Sequence, residues 1–222
     1  MPEHASLQPW RKALRFLSLA LVLTASTVCG FAFPGHAAQS EVIGKATRLI
    51  PEVGARFQGK PRELAVGADL HRGEQVWTAA RARLDIKFID GSSVTLGENA
   101  RIVLDEFVFE QRGGVSTQVL RTLSGALRFI GGGIDKERTG ATKIITPVGT
   151  MTVRGTEFFA GPIDGAYGVF VYSGEVDVAT SGGSVTLKEG EGTTLTRSSV
   201  APTAPIRWRD AKIARANALV GY

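Results

Sequence analysis

The chain is short of the residues that most often do chemistry. It has one cysteine, Cys29, two methionines and three histidines among 222 residues. Cys29 lies in the apolar stretch Phe16–Phe33, which contains no charged residue. The rest of the chain therefore has no disulfide framework, and its stability must come from a packed core. Beyond residue 38 His71 is the only histidine, so zinc sites built on several His or Cys ligands are excluded there. Charge of one sign is missing too. Arg11, Lys12 and Arg15 precede the apolar stretch with only Glu3 against them, and beyond it basic and acidic residues nearly balance and interleave. No basic stripe for nucleic acid forms. There is no P-loop, no dinucleotide fingerprint and no G-x-S-x-G elbow, and Gly131-Gly132-Gly133 has no Lys-Ser/Thr partner.

Glycine is plentiful, at 27 residues. With short β-branched and aromatic runs between the glycines, it predicts an all-β fold of many short strands, a β-solenoid-like stack or a sandwich, with a short C-terminal helix. In Arg81–Phe88, Ala82, Leu84, Ile86 and Phe88 alternate with Arg83, Asp85 and Lys87, the two-residue period of a half-buried strand. Asp90-Gly91 then reads as a turn. Further strands are predicted through Thr196, with Thr150–Arg154 and Glu157–Ala160 as separate strands. Ser93–Leu96 and Ser184–Leu187 share the word SVTL, an echo that favours stacked β units but has no fixed period. Gly131–Thr142 is polar and glycine-rich and reads as a mobile loop or hairpin tip. Trp208, Ala211, Ala214 and Ala218 are expected to share the buried face of the C-terminal helix, whose basic residues could touch anionic lipid.

The N-terminus has the form of a targeting segment. A basic n-region leads into the apolar stretch, and small residues near Ala37-Ala38 offer a cleavage site. Residues 1–38 are expected to be a signal peptide, with an uncleaved anchor at residues 16–33 as the alternative. Val28 before Cys29 argues against a lipoprotein. The expected location is periplasmic or otherwise exported. Residues 39–66 would supply strands leading into a β domain at 67–196, and residues 197–222 a linker and helix.

One resemblance covers most of the body. Ala82-x-Leu84-x-Ile86-x-Phe88-x-Asp90-Gly91-x-x-Val94-x-Leu96 is followed by Asn99–Leu104, Thr146–Thr150 and Val153-Arg154-Gly155-Thr156-Glu157-Phe158. Val169-x-Val171-x-x-Gly174-x-Val176-x-Val178 completes the series. Together these resemble the periplasmic domain of the FecR family. The resemblance implies an exported β domain that works with a membrane or envelope signalling protein. The family's best-known members also hold a cytoplasmic helical segment that controls a sigma factor. The few residues ahead of Phe16 are too short for such a bundle, so the expectation is a module without that segment.

Candidate site residues are accordingly those of the family phrases. Asp90, Gly91, Arg154, Gly155, Thr156 and Gly174 are read as structural, with Arg154 on an anionic ligand as the functional alternative. No catalytic residue, cofactor or metal ligand is assigned, and the chain is expected not to be an enzyme. His71 reads as a surface residue. Glu98, Asp105, Glu106 and Glu110 could offer paired carboxylates for sugar hydrolysis but fit a solvent face better. An exposed subset of Phe107, Phe109, Phe129, Phe158, Phe159, Phe170 and Tyr172 could form a groove for strand addition. The functional expectation is a non-catalytic sensing or signal-transduction accessory that binds a protein or small ligand. The alternative is a structural module that binds polysaccharide or peptidoglycan.

Overall fold

A computed structural model describes residues 41–109, 116–137 and 140–221, all within the compact unit Gln39–Tyr222. The predicted signal peptide or anchor lies outside the described residues. Among the described residues, no helix is long and apolar enough to cross a membrane.

Alternating apolar residues and frequent turns produce sixteen strands among the described residues. The first seven are β1 (Val42–Ile50), β2 (Val53–Phe57), β3 (Lys60–Glu63), β4 (Asp69–His71), β5 (Gln75–Thr78), β6 (Arg83–Phe88) and β7 (Ser93–Leu96). Next come β8 (Arg101–Val108), β9 (Thr117–Ser124), β10 (Leu127–Ile130), helix α1 (Gly133–Glu137) and β11 (Thr142–Thr146). Two long strands, β12 (Gly149–Ile163) and β13 (Ala166–Thr180), precede β14 (Gly183–Lys188), β15 (Glu191–Leu195) and β16 (Ile206–Arg207). Helix α2 (Asp210–Val220) ends the fold.

The strands form one continuous ladder that doubles back on itself, in the order β3-β2-β5-β8-β9-β11-β12-β10-β7-β6-β1-β4. The reversal falls within β12. Its first half pairs with β11 through Thr150–Val153, and its second half pairs with β10 through Glu157–Ala160. Strand β13 follows β12 along its length and then pairs with β14 at one end and β15 at the other. The result is a two-layered sandwich rather than a solenoid. The apolar faces of both layers meet in one core, where Phe88 of β6 stacks on Phe107 of β8 at 5.5 Å. The SVTL echo marks repeated half-buried strands, not a repeated unit.

The structure corrects several expectations. Thr150–Arg154 and Glu157–Ala160 are halves of a single bent strand. Strands β2 to β5 lie in a stretch where sequence periodicity gave little. Gly131–Thr142 is not simply a polar loop: it contains α1, whose Ile134 and Asp135 are buried. Phe107, Phe129, Phe158, Phe159 and Phe170 are buried, and Phe109 and Tyr172 are half-buried, so no exposed aromatic row remains for strand addition.

Helix α2 covers the outer face of the layer holding the second half of β12. Its buried face is Ala216 and Val220, with Ile213 and Leu219 half-buried, while Ala211, Ala214 and Ala218 are exposed. Trp208 precedes the helix and stacks on Phe170 at 5.0 Å. Truncating it to alanine would cost about 3 kcal/mol by loss of packing. The basic residues of α2 face partners within the chain: Arg215 holds Asp164 through two bonds of 2.9 Å, and Lys212 sits 4.2 Å over the Trp208 ring. Both contacts hold α2 against the sheet.

Candidate functional site: the corner of the sandwich

Crossing from one layer to the other forces the β12–β13 hairpin to bend. Pairing runs normally to Arg154↔Glu175, shifts, and resumes at Glu157↔Ser173. Gly155 and Gly174 take left-handed backbone angles there, with φ of 62° and 82°. A side chain at Gly174 would also meet the Gly155 carbonyl oxygen at 2.6 Å, so glycine is required both for angle and for space. The bend interrupts ladder hydrogen bonds, and Thr156 replaces them. Its hydroxyl donates to the Glu175 carbonyl at 2.6 Å and accepts the amides of Glu175 at 3.1 Å and Arg154 at 3.3 Å. Arg154 extends outward, pairing with Asp177 at 2.6 Å and Glu175 at 3.6 Å. The phrase Arg154-Gly155-Thr156 is therefore a device for turning a corner.

Asp90-Gly91 belongs to the same place. It makes the β6–β7 turn, but Asp90 is buried and reaches further. Its Oδ1 accepts the Ser92 amide at 2.9 Å and hydroxyl at 2.6 Å. Its Oδ2 accepts the Ile134 amide at 3.3 Å, and its carbonyl accepts the Gly133 amide at 2.8 Å. The Gly131 amide in turn donates to the Thr156 carbonyl at 3.0 Å. Four segments distant in sequence thus meet: Asp90–Ser92, Gly131–Glu137, Arg154–Glu157 and Ser173–Glu175. The last three of these segments line a cavity of about 180 Å³, mainly through Gly131, Gly132, Gly155, Thr156, Glu157 and Ser173.

A buried polar cluster lies nearby. The Gln118 amide donates to the Ser92 hydroxyl at 3.3 Å, and the Thr142 hydroxyl approaches Gln118 Oε1 at 3.5 Å. Asp135 of α1 is 4% exposed, and neither carboxylate oxygen has a hydrogen-bond partner among the described residues. Burial raises its pKa above the ordinary carboxyl value; the Thr142 hydroxyl and Gly132 amide, near but not at hydrogen-bonding geometry, oppose this, and Asp90 adds to it. Sequence reasoning missed Asp135, because an acid in a glycine-rich polar stretch carries no signal of burial.

Residues 74–177 match the family described as FecR protein. Those residues are a FecR domain. All four segments of the corner lie inside it, whereas β1 to β3 and α2 flank it. The search of curated proteins found no match. Two solved structures of a candidate anti-sigma factor from Parabacteroides distasonis are similar at 14% identity, with TM-scores of 0.49 and 0.48. Each covers 63% of this chain, which spans 62% of their length. A solved cell surface anchoring domain is 31% identical over 28% of this chain and 82% of its own, with a TM-score of 0.27.

The remaining candidates are scattered. At the first residue of the FecR match, Glu74 is fully buried and receives Arg62 Nε at 2.8 Å, Arg62 Nη2 at 2.8 Å and the His71 amide at 3.0 Å. His71 is part-buried, stacked on Phe57 at 4.8 Å, with Nδ1 3.4 Å from Glu74. Asp105 pairs with Arg121 at 2.7 Å, Glu106 is exposed, and Glu98 accepts the Arg81 amide at 2.8 Å. Glu110 lies outside the described residues. Among the described residues, no group of three or more His, Cys, Asp or Glu could hold a metal. A larger cavity of about 480 Å³ beside α2 is lined by Arg83, Glu98, Ile163, Asp164, Arg215 and Leu219 among others. Its arginines are engaged: Arg215 with Asp164, and Arg83 with the helix-terminal carbonyls of Gly221 at 3.1 Å and Ala218 at 3.4 Å.

Proposed function

We propose that this chain is a non-catalytic, exported FecR-domain module of the cell envelope. It binds a protein or small ligand and passes that state to a separate membrane signalling protein. The observation that carries this reading is the corner. Arg154 is held by Asp177 and Glu175, Thr156 by the backbone of Glu175, and Asp90 by Ser92 and Ile134. The family phrases thus spend their polar groups on building a shaped scaffold. The charge-free N-terminal stretch supports export.

Affinity capture of the tagged full chain from envelope fractions tests the reading. Recovery of a membrane signalling protein, weakened by Thr156→Val or Gly174→Ala, is the expected result. Recovery of no membrane protein, together with co-sedimentation of the chain with purified cell wall, would overturn it in favour of a structural envelope role.

A further inference from the structure

The segment Gly131–Glu137 is fastened to the corner by few bonds. The Gly133 amide reaches the Asp90 carbonyl at 2.8 Å, the Ile134 amide reaches Asp90 Oδ2 at 3.3 Å, and the Gly131 amide reaches Thr156 at 3.0 Å. The Ile134 side chain is fully buried. Seating Ile134 also carries Asp135 inside, where its two carboxylate oxygens meet no donor among the described residues. Two adjacent glycines make this possible. A side chain on Gly131 would strike Asp135 Oδ2 at 2.6 Å, and one on Gly132 would strike Asp90 Oδ2 at 2.6 Å.

An ionised carboxylate without donors is expensive to bury, and three remedies exist: a basic partner, a metal ion or a proton. The surroundings decide between them. The β6–β7 turn presents Asp90, which repels a second negative charge. Strand β9 presents neutral Gln118, and β11 presents neutral Thr142 while Lys143 points outward. Strand β12 presents neutral Thr156; its Arg154 pairs with Asp177, and its Glu157 pairs with Arg128. On α1 itself, the side chains of Lys136 and Glu137 lie outside the described residues. A hard metal ion would need six or more oxygens, yet Asp90 already gives both oxygens to Ser92 and Ile134. A proton on Asp135 removes the charge, and the neutral acid has the Thr142 hydroxyl and the Gly132 backbone beside it.

We propose that Asp135 is a proton-operated latch: protonated, it lets Gly131–Glu137 seat against the corner, and ionised, it drives that segment out toward water. The latch goes beyond the proposed signalling role and operates whether or not a membrane partner exists. Its direction follows from linkage. A carboxyl that holds its proton more tightly when seated favours the seated state at low pH. That preference is lost as pH rises from the ordinary Asp value through the raised one, about tenfold per pH unit in between.

Hydrogen exchange on the full chain, corrected for intrinsic pH dependence and followed from about pH 4 to about pH 8, reads the latch directly. Peptides spanning residues 131–137 are expected to lose protection as pH rises, while β6 and β10 stay protected. Asp135→Leu and Asp135→Asn should keep residues 131–137 protected throughout. Protection in the wild type that ignores pH, or that falls equally in both variants, would overturn the latch. So would recovery of protection at high pH on adding calcium, which would mark a metal site. Should neither variant fold, infrared spectroscopy of the wild type decides. A carboxylic-acid carbonyl band that disappears together with the protection supports the latch, and its absence at low pH refutes it.

Discussion

Of the three carboxylates buried among the described residues, Glu74, Asp90 and Asp135, the first and last stand at opposite extremes of provision. Glu74 is fully enclosed, has Arg62 Nη2 at 2.8 Å as an ion-pair contact, and accepts hydrogen bonds from Arg62 Nε and the His71 amide. Asp135 is almost as enclosed and takes none among the described residues. The difference separates a fastening from a switch. A buried carboxylate matched to a guanidinium ties β3, β4 and the start of β5 together. A buried carboxyl without a partner is stable only while neutral, so its seat depends on the solution. Sequence position reflects the contrast: Glu74 sits among strands, Asp135 in a five-residue helix that follows Gly131 and Gly132.

Breaking the Glu74 fastening should have the largest effect. Arg62→Met leaves an uncompensated buried charge and is expected to destabilise the domain by about 3 kcal/mol, measured by urea denaturation. Adding Glu74→Gln should recover much of that loss. If the double variant is no better than Arg62→Met, the fastening is not electrostatic. The corner should come next. Thr156→Val removes the hydroxyl that bridges the bend and should cost about 2 kcal/mol. Gly174→Ala should cost more than Gly155→Ala, because Gly155 has open space around it and only its backbone angle is at stake. Equal losses would mean that the contact between Gly174 and the Gly155 carbonyl relaxes freely. Asp135→Leu should act with the opposite sign, raising Tm at neutral pH and little at acid pH. The smallest effect belongs to Asp164, whose pKa is lowered mainly by its hydrogen bond to Arg215 on the surface. A lowered carboxyl stabilises above its ordinary pKa and loses that contribution as pH falls, the reverse of Asp135. Asp164→Asn should therefore flatten the acid limb slightly, and salt should mask it.

Much of this architecture was legible in the residues. The alternation of Leu84, Ile86 and Phe88 placed β6 and its buried face, because a two-residue period has a single geometric meaning. The stretch holding β2 to β5 was illegible because Lys60-Pro61-Arg62-Glu63 presents no apolar face and β4 has only three residues. Gly155 looked like a break between strands, yet it is the bend within one, since a glycine in a strand pattern signals either. The buried face of α2 was misread for want of contrast. Alanines occupy several faces, and Ile213 and Val220, not their spacing, decide which face turns inward. For the corner, the phrases themselves were visible, but not their convergence. Asp90, Gly131, Thr156 and Gly174 come together only because the ladder reverses within β12. Asp135 gave no sign, since its burial is imposed by Ile134 beside it.

The shared hairpin has one more consequence. Sandwich layers that are joined only by loops can slide across one another, and shear of that kind is a common route for relaying a bound state. Here β12 and β13 are woven into both layers, locked at the bend by Thr156 and the two left-handed glycines. Sliding would have to tear that weave, so the domain moves as one rigid block. Under the proposed signalling role, a bound state would leave it through smaller parts, and the segment Gly131–Glu137 is the part the proposed latch would move.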